Sequence, residues 1–384
     1  MTPRRPVYLD NAATTRCSPE AATAVQRHLL DDFGNPSSAH ELGARAGALL
    51  EKARRGLQRH LRARRARVVF TSGGTEANNL AIFGIARAHR RRHLLVSAIE
   101  HDSVLSPARA LAAKGFDIET VPVDARGHVA PGDLIARVRP DTALVCVMHG
   151  NNEIGTLQPI AEIARGVHDR NRQTAVHVDA VQSVAWEVID FDGWGIDSLS
   201  LSGHKLHGPK GVGALLVRER LVLDPLLHGG GQQAGLRSGT ENVPGIAGLF
   251  AALTEVVSDR ADAAERIRAL RDRLVEGVLA SVPGVVQQTG PNGLPHIASL
   301  AFPGVTGEVL LHHLESEGIY VSTGSACHAA AGEGSSVLEA IGAAPEELRA
   351  TIRFSLSRET MADDIDRVLD TLPAAVEELR CLEA

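Results

Sequence analysis

Short apolar segments alternate with longer amphipathic segments through the first half of the chain, and this alternation constrains the fold more than any other feature. The spacing of a few tens of residues predicts an α/β fold, with a mostly parallel central sheet that helices cover on both faces. The predicted strands are RVVFTSG (67–73), HLLVSAIEH (93–101), ALVCVMHGNNEIG (143–155), AVHVDAVQS (175–183), DSLSLSGHK (197–205) and GVGALLV (211–217).

Polar or glycine-rich residues follow these strands. In open parallel sheets, ligands bind at the carboxyl ends of the strands. We therefore expect one site at one edge of the sheet, built from residues 71–75, 100–101, 151–153, 179–182 and 202–205.

The second part of the chain has a different pattern. Residues 241–282 read as a long, charged helical connector, and HIASLAF, GIYVSTGSACH and TIRFSLS read as strands mixed with helices. This α+β pattern predicts a smaller second domain. We expect a large domain over residues 15–250 and a small domain over residues 1–14 and 251–384.

Composition excludes several classes of protein. The 384 residues carry a net charge of −6, so no overall basic field would attract nucleic acid or a membrane surface. The arginine-rich segment 54–67 is either the solvated end of a helix or a docking surface for an acidic partner. Without a membrane span or secretory signal, a cytoplasmic location is expected. The four cysteines lack CxxC spacing and the histidines lack HExxH, so we expect no metal site.

Three short segments together indicate a cofactor. In SGHKLHG, Lys205 follows a strand; alone it would be a solvated hairpin lysine. In FTSGGTEANN, the amides of Gly73, Gly74 and Thr75 lie at a helix start and, with the Thr75 hydroxyl group, could bind a phosphate monoester, although an ordinary helix cap explains them equally well. Asp179 ends a strand and could be a salt-bridge partner, a cap or the partner of a protonated ring nitrogen. A reactive lysine, a phosphate cradle and such an aspartate together predict pyridoxal 5′-phosphate (PLP).

The chain also resembles a known family. YLDNAATT, GNPSS, FTSGGTEANNLAI, EHDSV, NNEIGTLQPI, HVDAVQS, SGHKLHGPKGVG, GGGQQAGLRSGTENV and VSTGSACH occur in this order between about residues 7 and 358. They are similar to the cysteine desulfurases of the NifS/IscS type, in the class V aminotransferase group. The resemblance implies the aspartate aminotransferase-like fold of PLP-dependent transferases.

The resemblance also implies a role for each matching residue. Lys205 would bind PLP covalently, and Asp179 would pair with the pyridine nitrogen. His101 would stack on the ring and move protons, and Gln182 and Asn152 would bind the ring hydroxyl. Asn152 would also lie near the substrate carboxylate, which Arg353 would clamp unless it is a strand-edge arginine in a salt bridge. The phosphate would be held by Gly74, Thr75, Ser202, His204 and, from the partner subunit of a homodimer, Thr240.

Cys327 is the expected nucleophile; the alternative is a surface thiol without function. It lies in VSTGSACHAAAGEGSS, a glycine- and serine-rich segment that predicts a mobile loop. A desulfurase needs such a loop because its thiolate takes the substrate sulfur and then presents the persulfide to a partner. The long-loop branch of the family usually has Thr or Ser after this cysteine and a proline before the next helix; here His328 follows and that proline is missing. His328 is either solvated or a modulator of the thiol.

The expected activity is therefore conversion of L-cysteine to L-alanine, with sulfur passing through Cys327 to an acceptor protein such as an iron–sulfur scaffold or a sulfur carrier. The alternatives are a selenocysteine lyase, a class V aminotransferase and a catalytically silent scaffold in a sulfur-transfer assembly. The sequence does not name the acceptor or its pathway.

Overall fold

The computed structural model describes residues 5–323 and 334–383. Its strands are β1 Val7–Tyr8, β2 Ala66–Thr71, β3 His93–Ser97, β4 Asp117–Val121, β5 Thr142–Cys146, β6 Ala175–Asp179, β7 Ser198–Ser202, β8 Gly213–Arg218, β9 Val286–Gln287, β10 Ile297–Ala301, β11 Ile319–Tyr320 and β12 Thr351–Ser355. Short 3₁₀ turns cover Gly203–Lys205 and Gln233–Gly235.

The helices lie between and around these strands. They are α1 Pro19–Leu30, α2 Glu41–His60, α3 Gly74–Ala88, α4 Asp102–Ala112, α5 Pro131–Arg137, α6 Ile160–Arg170, α7 Phe191–Trp194, α8 Val243–Ser258, α9 Arg260–Ser281, α10 Gly307–Ser316, α11 Ser336–Ala340, α12 Pro345–Ala350 and α13 Ala362–Glu383. The segment predicted as one helical connector forms two helices, α8 and α9, which break at Asp259.

The central sheet has seven strands in the order β2-β8-β7-β6-β5-β3-β4. Neighbours from β7 to β4 pair in parallel, whereas β8 is antiparallel to both β2 and β7. This confirms the prediction of a mostly parallel α/β sheet. The strand β4 was missed because its sequence, DIETV, lies at the sheet edge with only Val121 buried and shows no apolar run.

The polar and glycine-rich residues predicted to follow the strands lie at one edge of this sheet. The strands β2, β3, β5, β6 and β7 run in the same direction and end at Thr71, Ser97, Cys146, Asp179 and Ser202. The inner strands β5, β6 and β7 are buried along their whole length, as expected for a parallel sheet covered on both faces. The buried sheet therefore fixes where each following loop begins.

Two smaller sheets hold the rest of the chain. β10 pairs antiparallel with β12 and β9, and β1 pairs in parallel with β11. The strands HIASLAF and TIRFSLS are thus confirmed, while GIYVSTGSACH contributes only the two residues of β11 within the described part of the chain. The predicted domain boundary after residue 250 falls inside α8, which packs against α1 and α2. The division into two domains stays a prediction.

In the described ranges, no helix is long and apolar enough to cross a membrane.

Candidate active site

A cavity of about 330 Å³ opens at the carboxyl ends of the parallel strands. Apart from Thr240 and Cys327, every residue to which the resemblance gives a specific role lines this cavity. These residues are Gly74, Thr75, His101, Asn152, Asp179, Gln182, Ser202, His204, Lys205 and Arg353. They come from six separate parts of the chain, so the fold brings them together.

The N-terminus of α3 forms one end of the cavity. Gly73 occupies the N-cap position, and no side chain there caps the helix. A Cβ atom on Gly74 would lie 2.8 Å from Cγ2 of Val181, so glycine allows the helix start to approach the loop after β6. Backbone N–H groups and the helix dipole at such a terminus favour an anion.

The side chains near this terminus suit a phosphate. Thr75 and Ser202, which both carry a hydroxyl group, line the cavity. Burial, with the charges of Lys205 and Lys210, lowers the pKa of His204 to about 4, so its imidazole is neutral at pH 7. Its Nδ1 lies 3.2 Å from Oγ1 of Thr14.

Lys205 lies in the 3₁₀ turn directly after β7. β7 and β8 do pair as a hairpin, but the ammonium group is not the solvated group of the alternative interpretation. Its Nζ donates hydrogen bonds to the carbonyl oxygens of Ala12 (2.5 Å) and Ala13 (2.7 Å). The N-terminal segment therefore holds the lysine in the cavity, within the same lining as Asp179 and Arg353.

Asp179 ends β6 and is 5% exposed. Its Oδ2 accepts a hydrogen bond from Nδ2 of Asn78 (2.7 Å), and its Oδ1 accepts one from the backbone N–H of Val181 (2.9 Å). The Asp179 carboxylate is thus held in one orientation, as a partner for a cationic ring nitrogen must be. The neighbouring Gln182 is also held, because its Nε2 donates to the carbonyl oxygen of Ala12 (2.8 Å).

Arg353 on β12 forms the opposite end of the cavity. It is buried, its NH1 donates to the carbonyl oxygen of Asn152 (3.0 Å), and its NH2 pairs with Oδ1 of Asp10 (2.8 Å). Burial raises the pKa of Asp10, although the positive charges of Arg353 and Lys205 oppose the rise. Asp10 lies within YLDNAATT and had no predicted role, because its partner lies 343 residues away.

Glu100 lines the cavity and had no predicted role. Its Oε1 accepts hydrogen bonds from Oγ of Ser97 and from the backbone N–H of Met148, both at 2.6 Å. Its Oε2 is buried and has no hydrogen-bond partner among the described residues. Burial, reinforced by the charge of Asp179, raises the pKa of Glu100 to about 8. This side chain is therefore mostly protonated at neutral pH.

His101 caps α4, and its Nδ1 accepts a hydrogen bond from the backbone N–H of Ser103 (3.0 Å). Thr240 is exposed and is absent from the cavity lining that the structure describes. Cys327 and His328 lie outside the described residues. Within residues 5–323 and 334–383, no group of three or more His, Cys, Asp or Glu side chains could hold a metal ion.

Chemically, the cavity combines an anion-binding helix terminus, a carboxylate for a cationic ring, a primary amine and a guanidinium group. A Schiff-base cofactor with a phosphate group fits the first three. An amino acid carboxylate fits the fourth.

Comparison with known proteins agrees with this interpretation. The family model for aminotransferase class-V matches residues 7–368. A cysteine desulfurase IscS from Methanosarcina thermophila is 42% identical, over 99% of this chain and 94% of the relative. A cysteine desulfurase IscS from Dictyoglomus turgidum is 41% identical, over 99% of this chain and 96% of the relative.

Solved structures give the same result. One described as a NifS-like protein superposes with a TM-score of 0.92 at 36% identity, over 98% of this chain and all of the other. A second, described as SspA in complex with cysteine, has a TM-score of 0.81 at 35% identity, over 92% of this chain and 99% of the other.

Proposed function

This chain belongs to the class-V aminotransferase family and, within it, to the cysteine desulfurases of the NifS/IscS type, and from this membership we propose how its cavity works. The protein is a cysteine desulfurase that uses PLP to convert L-cysteine to L-alanine. The observation that carries the proposal is that one cavity is lined by the uncapped start of α3, Asp179, Lys205 and Arg353.

The residues present fit PLP. The amides at the start of α3, with Thr75, Ser202 and His204, would hold the phosphate, and glycine at position 74 leaves room for the helix to approach. Lys205 would bind the aldehyde carbon, and Asp179 would keep a proton on the pyridine nitrogen. His101 would stack on the ring, and Gln182 and Asn152 would bind its hydroxyl group. When bound, PLP supplies an electron sink that makes the Cα–H bond of the substrate acidic.

The substrate would be oriented by its carboxylate. Arg353 presents a buried guanidinium group, whose planar fork suits a carboxylate. Asn152, whose carbonyl oxygen accepts from Arg353, would keep that group beside the substrate. This contact would fix the Cα–H and Cα–Cβ bonds of cysteine relative to the ring.

Cys327 would take the sulfur. Its thiolate attacks the sulfur of the bound cysteine, so an S–S bond forms while the Cβ–S bond breaks and its electron pair stays with the carbon. Protonation of that carbon gives alanine, and the sulfur remains on Cys327 as a persulfide. An acceptor protein, such as an iron–sulfur scaffold or a sulfur carrier, would then receive it. We also propose a homodimer in which Thr240 completes the partner's phosphate site; the two-domain division and a cytoplasmic location stay predictions.

Product analysis tests this function. The full chain, incubated with PLP, L-cysteine and a thiol reductant, should release alanine and sulfide in equal amounts, with a persulfide on Cys327. Formation of a keto acid instead of alanine would identify an aminotransferase. Rapid selenide release from selenocysteine beside negligible sulfide from cysteine would identify a selenocysteine lyase.

The variant Cys327→Ser separates the two halves of the reaction. Serine is almost wholly protonated near neutral pH and cannot replace the thiolate. Solvent deuterium should therefore still enter Cα of cysteine, while alanine and the persulfide do not form. Alanine and sulfide release at the wild-type rate would show that Cys327 is not the nucleophile.

A further inference from the structure

A line of buried hydrogen bonds ends on Asp179, and three of its residues, Asn78, Ser103 and Asp179, line the wall of the cavity. Asn78 on α3 lies at its centre and is fully buried. Its Oδ1 lies 3.0 Å from Nε2 of His177, and its Nδ2 lies 2.7 Å from Oδ2 of Asp179 and 2.8 Å from Oγ of Ser103. Nδ1 of His177 lies 2.9 Å from Oγ of Ser198.

The chemistry of these groups fixes the direction of each bond. An ionised carboxylate only accepts hydrogen bonds, so the NH₂ group of Asn78 faces Asp179 and its carbonyl oxygen faces His177. That oxygen only accepts, so His177 must carry its proton on Nε2. Burial lowers the pKa of His177 to about 3, and the ring therefore has a single proton at neutral pH. Its Nδ1 then accepts from the hydroxyl group of Ser198, and all polar atoms in the line are satisfied.

The line matters because of where it ends. Asp179 receives one hydrogen bond from its own loop, the N–H of Val181, and one from another element, the Asn78 side chain on α3. The same helix begins at Gly74, which lines the phosphate end of the cavity. Asn78 therefore ties the orientation of the carboxylate to the helix whose start would hold the phosphate.

We propose that Asn78, oriented by His177, is a positioning residue that keeps the Asp179 carboxylate directed at the pyridine nitrogen of PLP. This inference depends on the function proposed above. Without Asn78 the carboxylate loses a hydrogen-bond donor, so it is less well oriented and attracts a proton more strongly. The proton shared with the ring nitrogen then moves towards Asp179.

The neighbouring Asn79 provides a matched control. It lies on the same helix and is absent from the described cavity lining; its Nδ2 donates to the carbonyl oxygen of Thr75 (2.9 Å). Asn79→Ala removes the same atoms as Asn78→Ala, one residue further along the chain. A second variant, Asn78→Ser, keeps a polar atom in the buried site but is too short to bridge His177 and Asp179.

The test loads the full-length holoenzyme with PLP that carries ¹⁵N at the pyridine nitrogen and records its ¹⁵N chemical shift. We expect a protonated nitrogen in the wild type and in Asn79→Ala. In Asn78→Ala and Asn78→Ser the signal should move towards the unprotonated position, and the Kd for PLP should rise about tenfold, the effect of losing one hydrogen bond to a charged group. A merely structural role for Asn78 would lower the melting temperature without moving the ¹⁵N signal.

Folded Asn78 variants with the wild-type ¹⁵N signal and PLP affinity would overturn this inference and leave the proposed function intact. A wild-type protein that does not bind PLP would overturn both.

Discussion

The two ends of the cavity differ in whether their ligand-binding groups already contact other groups of the protein. At the phosphate end, α3 begins without a side-chain cap, and the side chains beside it are hydroxyl groups and a neutral imidazole. At the carboxylate end, the guanidinium group of Arg353 already contacts Asp10 and the carbonyl oxygen of Asn152. The first end presents donors to an incoming anion. The second presents a cation whose charge is partly neutralised within the protein.

We relate this difference to the time for which each ligand must stay bound. A cofactor stays bound through many reactions, so a site that is preorganised for its phosphate can bind it tightly without slowing turnover. The carboxylate of the substrate must leave as part of alanine after every turnover. Competition from Asp10 would weaken the binding of that carboxylate to Arg353. Substitutions at the two ends should therefore separate PLP affinity from KM.

The largest expected effect is at the carboxylate end. Arg353→Leu should raise KM for cysteine about a hundredfold, because two hydrogen bonds to a charged carboxylate are lost. PLP affinity should stay near the wild-type value. Steady-state kinetics and PLP titration check both parts, with the exposed Arg349→Leu as the control. A comparable loss of PLP affinity would contradict the separation of the two ends.

A smaller effect, on PLP affinity and not on KM, is expected from a substitution at Gly74. A Cβ atom there would lie 2.8 Å from Cγ2 of Val181, so Gly74→Ala must push the helix start or the loop away. We expect the Kd for PLP to rise about tenfold, the usual range for overpacking. KM for cysteine should change little once PLP is saturating. The double variant with Val181→Ala should recover most of the affinity, and failure to recover it would show that the contact is not the cause.

Asp10→Asn tests the competition directly. Removing the carboxylate removes one counter-charge of the Arg353 guanidinium group, so KM for cysteine should fall a few-fold. The amide keeps the shape of the side chain and can still accept from Arg353. A rise in KM would mean that Asp10 mainly orients Arg353 and does not compete with the substrate.

The smallest expected effect concerns Glu100, which belongs to neither end. Its pKa of about 8 lies above the ordinary 4.5, so the folded protein keeps a proton that the unfolded chain loses. The resulting stability is fully present below pH 4.5 and is lost as the pH rises towards 8. Glu100→Gln removes this dependence.

Urea unfolding of the full chain between pH 5 and pH 8 measures the effect. The stability of Glu100→Gln relative to wild type should increase with pH, at a slope of at most about 1.4 kcal/mol per pH unit. The exposed Glu265→Gln is the control and should give no slope. A flat difference for Glu100→Gln would show that the folded protein does not hold this proton.

How far the sequence could predict this site follows from where its residues lie. Lys205 and Asp179 directly follow or end buried strands, and Gly74 begins a helix after one, so their meeting at one sheet edge follows from the parallel topology. Asn78 and Glu100 belong to the same motifs, but their importance depends on burial. Their contacts with Asp179 and Met148 join segments 101 and 48 residues apart.

The two-stranded sheet of β1 and β11 was harder to predict for another reason. β1 and β11 have two residues each, too few for any periodicity, and they pair across the chain at Val7 and Ile319. Asp10 follows β1, so its pairing with Arg353 depends on that long-range contact. At the carboxylate end, Arg353 and Asn152 were therefore predicted, whereas the role of Asp10 was not.

The central claim is that both ends of the cavity serve one cofactor held by Lys205. The chain contains only four lysines, at positions 52, 114, 205 and 210, so borohydride reduction of the PLP-loaded protein followed by peptide mass spectrometry identifies the attachment site without ambiguity. We predict one PLP group per chain, on the peptide that contains Lys205, and its loss in Lys205→Ala but not in Lys210→Ala. Reduced PLP on another lysine, or none on a protein that nevertheless turns over cysteine, would contradict the account.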